Sequence, residues 1–128
     1  MRPTMAIATS PPEKTIEEST VRDSEEVQAV LDALHDPDCR AVLDATGEES
    51  LSASELSDVC ELPLSTTYRK LDTLTGVGLL DERTRLCPDG KHASEYVRSV
   101  EHVDVDVVDG GFELTVTHRV RSGTTTPL

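Results

Sequence analysis

At 128 residues the chain has room for one domain with ragged ends. Phe, Tyr and Trp together number three, so the core must come from Leu, Val and Ala, and a domain with so modest a core gains stability as a dimer. A formal charge of -13 speaks against unaided attraction to a phosphate backbone. The absence of an apolar run near 18 residues, or of a leader-like apolar segment, leads us to expect a cytoplasmic protein with no membrane partner.

Residues 1–24 hold three prolines and no sustained period, and are expected to be a flexible tail. Ser24 is then expected to cap a first helix, with Glu25 and Glu26 in its first turn and Val27, Val30, Leu31 and Leu34 on one side. Asp36-Pro37 opens a second helix whose apolar side is Ala41, Val42, Leu43 and Ala45, and Gly47 ends it. Ser52 with Glu55 three residues later is a capping box for a third helix, in which Leu56, Val59 and Cys60 face inward. Glu61 to Leu64 form a turn, and Ser65 is the expected cap of a fourth helix with the inner stripe Tyr68, Leu71 and Leu74. Gly76 and Gly78 terminate that helix.

From Leu80 to Leu86 polar and apolar residues alternate, Pro88-Asp89-Gly90 is a turn, and the segment from Lys91 to Val100 returns as a second strand. Val103, Val105 and Val107 alternate with acids, Asp109-Gly110-Gly111 turns, and the segment from Phe112 to Val120 alternates again, which makes a second hairpin. The order helix, turn, helix, strand, turn, strand is that of a winged helix-turn-helix. The fold class expected is therefore α+β, a winged helix-turn-helix with an additional C-terminal β-hairpin. The divisions are a tail over 1–24, the winged domain over 25–98, an accessory hairpin over 99–121 and a second tail over 122–128.

Charge is unevenly spread. Residues 1–38 carry three basic and nine acidic side chains, residues 39–64 one and six, and residues 99–128 two and five. Residues 65–98 carry six and five, so the stretch holding the fourth helix and the wing escapes the general negative charge. A fourth helix that buries one face offers the other to a DNA groove. Thr66, Thr67, Lys70 and Thr73 are expected on or near that open side with Arg69 flanking, and Ser65 is expected to bond a phosphate or to cap the helix. Arg83, Arg85 and Lys91 flank the wing turn, where they would meet backbone phosphates or the minor groove. Double-stranded DNA is thus the expected partner, read by residues 65–75 with the wing (80–97) alongside. The alternative is a winged module that docks onto transcription machinery without reading DNA, which the net charge favours.

Cys39, Cys60 and Cys87 form neither a CxxC nor a CxC pair, so a local metal clamp is not expected. No nucleophile with its base, paired carboxylates or ligand set stands at useful spacing. The expectation is a protein that is not an enzyme, with no cofactor, no bound metal and no evident small-molecule effector.

The segments ALHDPDCRAVLDAT, ASELSDVCELPLSTTYRKLDTLTGVGLL and RLCPDGKHASEYVR resemble the archaeal winged helix-turn-helix regulators related to the arsenic-repressor family, in their halophilic branch. The resemblance covers about residues 29–98. It implies a homodimeric transcription factor with the fourth helix in the major groove, and it assigns DNA contact to Ser65, Thr66, Thr67, Arg69 and Lys70. Metal-sensing members carry a CxC-type box ahead of the recognition helix. Here LSDVCEL holds Cys60 alone, so metal sensing is not implied.

Overall fold

A computed structural model describes residues 15–120, and the two expected tails fall largely outside them, over 1–14 and 121–128. The element order is β1 (Thr15–Val21), α1 (Ser24–His35), α2 (Pro37–Ala45), α3 (Ala53–Cys60), α4 (Leu64–Gly76), β2 (Leu80–Leu86), β3 (His92–Arg98), β4 (Val100–Val108) and β5 (Gly111–Val120). This is the winged helix-turn-helix of class α+β with its C-terminal hairpin, and it carries one strand more than expected.

That strand corrects the reading of residues 15–24 as part of a tail. β1 lies antiparallel to β5, from Thr15 opposite Val120 to Val21 opposite Leu114. The segment TIEESTV lacks a clear apolar period, but it has two β-branched residues at each end, Thr15 and Ile16, Thr20 and Val21. Its backbone groups are satisfied by a partner about a hundred residues away. β4 and β5 pair in turn, giving a three-stranded sheet in the order β1-β5-β4, while β2 and β3 form the separate two-stranded wing. The hairpin therefore does not widen the wing sheet.

Local chemistry accounts for the helix starts. Asp23, one residue ahead of the expected Ser24, caps α1 by accepting from the amides of Glu25 and Glu26 at 3.1 Å each. Asp36 caps α2 through the amide of Asp38 at 2.8 Å, with Pro37 in the first turn. The capping box of α3 is complete: the Glu55 amide donates to Ser52 Oγ at 3.1 Å and the Ser52 amide to Glu55 Oε1 at 2.8 Å. Helix α4 starts differently. Pro63 occupies its cap with no side-chain hydrogen bond, so Ser65 sits in the first turn and is not the cap.

The core gathers Val27, Val30 and Ala33 of α1, Cys39, Val42 and Leu43 of α2, Leu56 of α3, and Leu71 and Leu74 of α4. Leu79, Leu80 and Tyr96 join from the wing side, and Val100, Leu114 and Val116 from the sheet. The sheet is thus a wall of the core rather than an accessory. Val59, expected inside, is 61 % exposed, and Ala41 is exposed as well. Helix α3 has only eight residues, and Ala53 and Leu56 already fill its inner side.

The wing is tied to the helices at its base. Leu51 forms an isolated bridge with Tyr96, with amide-to-carbonyl distances of 2.9 and 2.7 Å, and the Arg98 amide donates to the Thr46 carbonyl at 3.1 Å. At the far end the Gly90 amide closes on the Cys87 carbonyl at 2.9 Å, with Gly90 at φ +85.

Candidate nucleic-acid interface

Helix α4 packs on α3 across the turn from Glu61 to Pro63. Glu61, at φ 57, takes the left-handed conformation that ends α3 and redirects the chain. The Leu62 amide then donates to the Ser57 carbonyl at 3.0 Å, and Ser57 Oγ to the Leu62 carbonyl at 2.6 Å. These bonds hold the turn and so set the angle at which α4 is presented.

The buried side of α4 is Thr67, Leu71 and Leu74, at i, i+4 and i+7. This corrects two expectations together. Thr67 lies inside, fully buried, and its amide and hydroxyl both donate to the Pro63 carbonyl, at 2.9 and 3.0 Å. Tyr68 lies outside, 50 % exposed. A small β-branched residue with an internal acceptor fits the close approach at the turn, where a tyrosine ring would not. Thr67 cannot touch a base from there.

With that stripe inward, the helical wheel turns Ser65, Arg69, Asp72 and Thr73 outward, and Thr66 and Tyr68 lie at the two margins. Ser65, Arg69 and Thr73 are exposed, while Thr66 is half-buried. Arg69 reaches Thr66 Oγ1 at 3.5 Å, and the Thr73 hydroxyl donates to the Arg69 carbonyl at 3.0 Å. Arg69 makes no ion pair among the described residues, so its guanidinium is available.

Lys70 is not available in that sense. Its Nζ pairs with Asp36 Oδ2 at 2.6 Å, and both side chains are largely covered. The Lys70 hydrogen bond, the largest effect, holds the Asp36 carboxyl below its usual range against the opposing effect of burial. The same contact raises Lys70. Cys39 lies beside this pair. Burial first, and the Asp36 charge second, push its thiol up to about 11.

Two of the expected wing cations are also engaged. Arg83 Nη2 donates to Ser50 Oγ at 2.7 Å and reaches Glu95 Oε2 at 3.4 Å. Arg85 Nε donates to Glu95 Oε1 at 2.8 Å, and its Nη2 to Glu55 Oε1 at 3.2 Å. The Ser52 amide and then Arg85 hold the Glu55 carboxyl low, while Glu95 and Glu55 raise Arg85 further. Lys91 stands exposed at the wing turn, its amide bonded to Asp89 Oδ1 at 3.0 Å.

The structure thus brings Ser65, Thr66, Arg69 and Thr73 together on one surface, leaves Lys91 apart at the wing tip, and takes Thr67 out of it. Asp36, Ser50, Glu55 and Glu95, which bind the other cations, were not singled out from the sequence as partners. Their capping and strand positions are local signals, but a Lys70–Asp36 contact across 34 residues has no local signature.

Residues 30–83 match a protein family described as a helix-turn-helix domain. The fold is also similar to that of NolR from Sinorhizobium fredii, with a TM-score of 0.50 and 22% identity, over 59% of this chain and 71% of that one. No curated protein sequence matches the chain. Among the described residues no helix is long and apolar enough to cross a membrane.

Proposed function

We propose that the chain is a sequence-specific regulator of transcription that binds double-stranded DNA as a homodimer, with α4 in the major groove and the wing on the adjacent backbone or minor groove. One observation carries this reading: the second helix of a helix-turn-helix domain keeps an open face of Ser65, Arg69 and Thr73, with an unpaired guanidinium at its centre. Arg69 suits bidentate contact to guanine, and Thr66 and Thr73 suit a thymine methyl or a phosphate. Lys91 serves as a backbone contact. Lys70, Arg83 and Arg85 contribute only by leaving their carboxylates, and Thr67 positions the helix from within. We take residues 25–98 as the winged unit, on which the sheet is built. The resemblance to regulators related to the arsenic-repressor family, and the acidity suited to a salt-rich cytoplasm, belong to the same reading. So does a role that is not enzymatic.

Anisotropy of labelled promoter duplexes at molar potassium tests this reading. The expected result is tight binding to a partly palindromic site with half-sites about one helical turn apart. Equal affinity for a scrambled duplex would overturn sequence-specific reading.

A second reading rests on a separate observation. Val59, Leu64 and Tyr68 are exposed apolar or aromatic side chains on α3 and α4, and three of the expected cations are internally paired. Such a surface suits a protein partner. If Tyr68→Ala abolishes capture of a transcription component while duplex affinity is nil throughout, this second reading stands in place of the first.

A further inference from the structure

The wing presents an electrically closed group. Arg83 and Arg85 lie two residues apart on one face of β2, and Glu95 is the cross-strand neighbour of Arg83 in the register. Glu95 splits its two oxygens between the two guanidinium groups, at 3.4 and 2.8 Å. Glu55, while completing the capping box of α3, takes the remaining edge of Arg85 at 3.2 Å. Two cations and two carboxylates thus cancel, and the group spans from the wing to the first turn of α3. Ser50 Oγ anchors Arg83 from the segment just before that helix.

We propose that Glu95 and Glu55 are positioning residues of the DNA interface. They hold Arg83 and Arg85 in ion pairs that exchange carboxylate for phosphate when a duplex arrives. The proposal rests on the DNA-binding reading and specifies how the wing enters it. An unpaired arginine on a phosphate releases condensed cations, and affinity then falls steeply with salt. An arginine that leaves a carboxylate behind releases cations from the DNA but leaves an anion that recruits them again. The net release at the wing is close to nil. The wing then adds geometry and little salt dependence, so a strongly acidic chain keeps its wing contacts at high ionic strength. At low salt the same carboxylates hold the arginines back.

The experiment uses the full chain and a fixed duplex, with anisotropy measured from about 0.1 to 1 M potassium. Glu95→Gln and Glu55→Gln preserve shape, and glutamine also completes a capping box, so α3 keeps its start. Thermal melts followed by circular dichroism confirm the fold of each variant. The expected result for either variant is a steeper slope of log affinity against log salt, by roughly one unit for each arginine released. That corresponds to about tenfold tighter binding at 0.1 M, converging with the wild type near 1 M. Glu18→Gln, which removes one exposed acid from β1, controls for bulk charge and should leave the slope unchanged. In an Arg83→Gln/Arg85→Gln background the Glu95→Gln effect on slope should vanish.

Slopes for Glu95→Gln and Glu55→Gln equal to the wild type, with binding intact, would overturn the exchange and leave the DNA reading standing. An equal steepening in Glu18→Gln would overturn it too, in favour of bulk charge. No duplex binding by any variant at any salt would overturn the DNA reading and this inference together.

Discussion

Thr67 and Arg69 sit two positions apart on one helix and do opposite work. Thr67 is buried with its hydroxyl on the Pro63 carbonyl, so Thr67→Val leaves the shape but removes the internal donor. The expected outcome is a loss of about 1 kcal/mol in denaturant unfolding with the ranking of DNA sites unchanged. Arg69→Ala should leave the melt nearly unchanged and weaken the preferred duplex roughly ten- to hundredfold, with a smaller loss on random DNA. Equal losses on both duplexes would make Arg69 a phosphate contact rather than a reader. Apolar spacing pointed to 68/71/74 as the inner stripe, and the side-chain size tolerated near the turn puts Thr67 there in place of Tyr68. That limit on size is a tertiary property, which is why Tyr68 and Thr67 exchange places between sequence and structure.

Cys39 adds a pH dependence. Its thiol is pushed from 9.0 to about 11 in the folded chain, chiefly by burial, so the folded state resists ionisation that the unfolded state accepts. The stability it contributes is complete below pH 9 and declines as pH rises toward about 11. Unfolding midpoints should therefore fall between those values. Cys39→Ala, though weaker at pH 8 through lost packing, should fall less steeply. Some decline persists in that variant because the Cys60 thiol is raised as well. Asp36 works from the other side: its lowered carboxyl contributes stability above its ordinary 3.8, and this is lost as pH falls through the depressed value.

Among the elements, those with local chemistry were the most legible. Asp36-Pro37, the Ser52–Glu55 box, the wing turn and the β4–β5 turn all stand where the sequence placed them, because each is specified by residues within a few positions of one another. Ser52→Ala removes the acceptor for the Glu55 amide. It should cost about 1 kcal/mol in chemical unfolding, with the loss localised by hydrogen exchange to the first turn of α3. β1 was missed for the converse reason. Its pairing partner lies at the far end of the chain, and three of its seven residues are Glu or Ser with no alternation to mark a strand. The cap of α4 was misplaced by one turn-forming proline: Leu64 already has helical geometry behind Pro63, so Ser65 is drawn inside. In the candidate interface the residue types and their helix were legible, but the ion pairs that engage Lys70, Arg83 and Arg85 were not.

For the whole molecule the open question is where two copies meet in the proposed dimer. The apolar stripe of α1 and the apolar face of the hairpin compete for this role, and the resemblance to winged regulators, whose dimers form through terminal helices, favours α1 with the hairpin assisting. Burial moves that weight. Val27, Val30 and Ala33 of α1 are buried within their own chain, where Leu114 and Val116 of β5 share the same core cluster, and only Leu31 and Leu34 remain half-covered. Val105 pairs with Leu114 and Val107 with Phe112 on the same face of the sheet. That face runs on past the buried core, so Val107 is 80 % exposed and Val105 and Phe112 are exposed with it. Between this overhang and α1 lies an open groove of about 480 Å³ bordered by Val27, Leu31 and Phe112. A two-fold axis through this region would let the hairpin end of each chain enter the groove of the other, the self-complementary arrangement a closed dimer requires. Cutting the chain at Ser99 does not test this, because it strips Val100, Leu114 and Val116 from the core, and the expected outcome is unfolding. Val107→Asp is the sharper test, since the side chain is exposed and the fold should hold. Sedimentation should show a monomer at concentrations where the wild type is paired. Affinity for a two-half-site duplex should fall to that for a single half-site, which itself should not change. If Val107→Asp stays dimeric while Leu31→Glu dissociates, α1 rather than the hairpin end holds the two copies together.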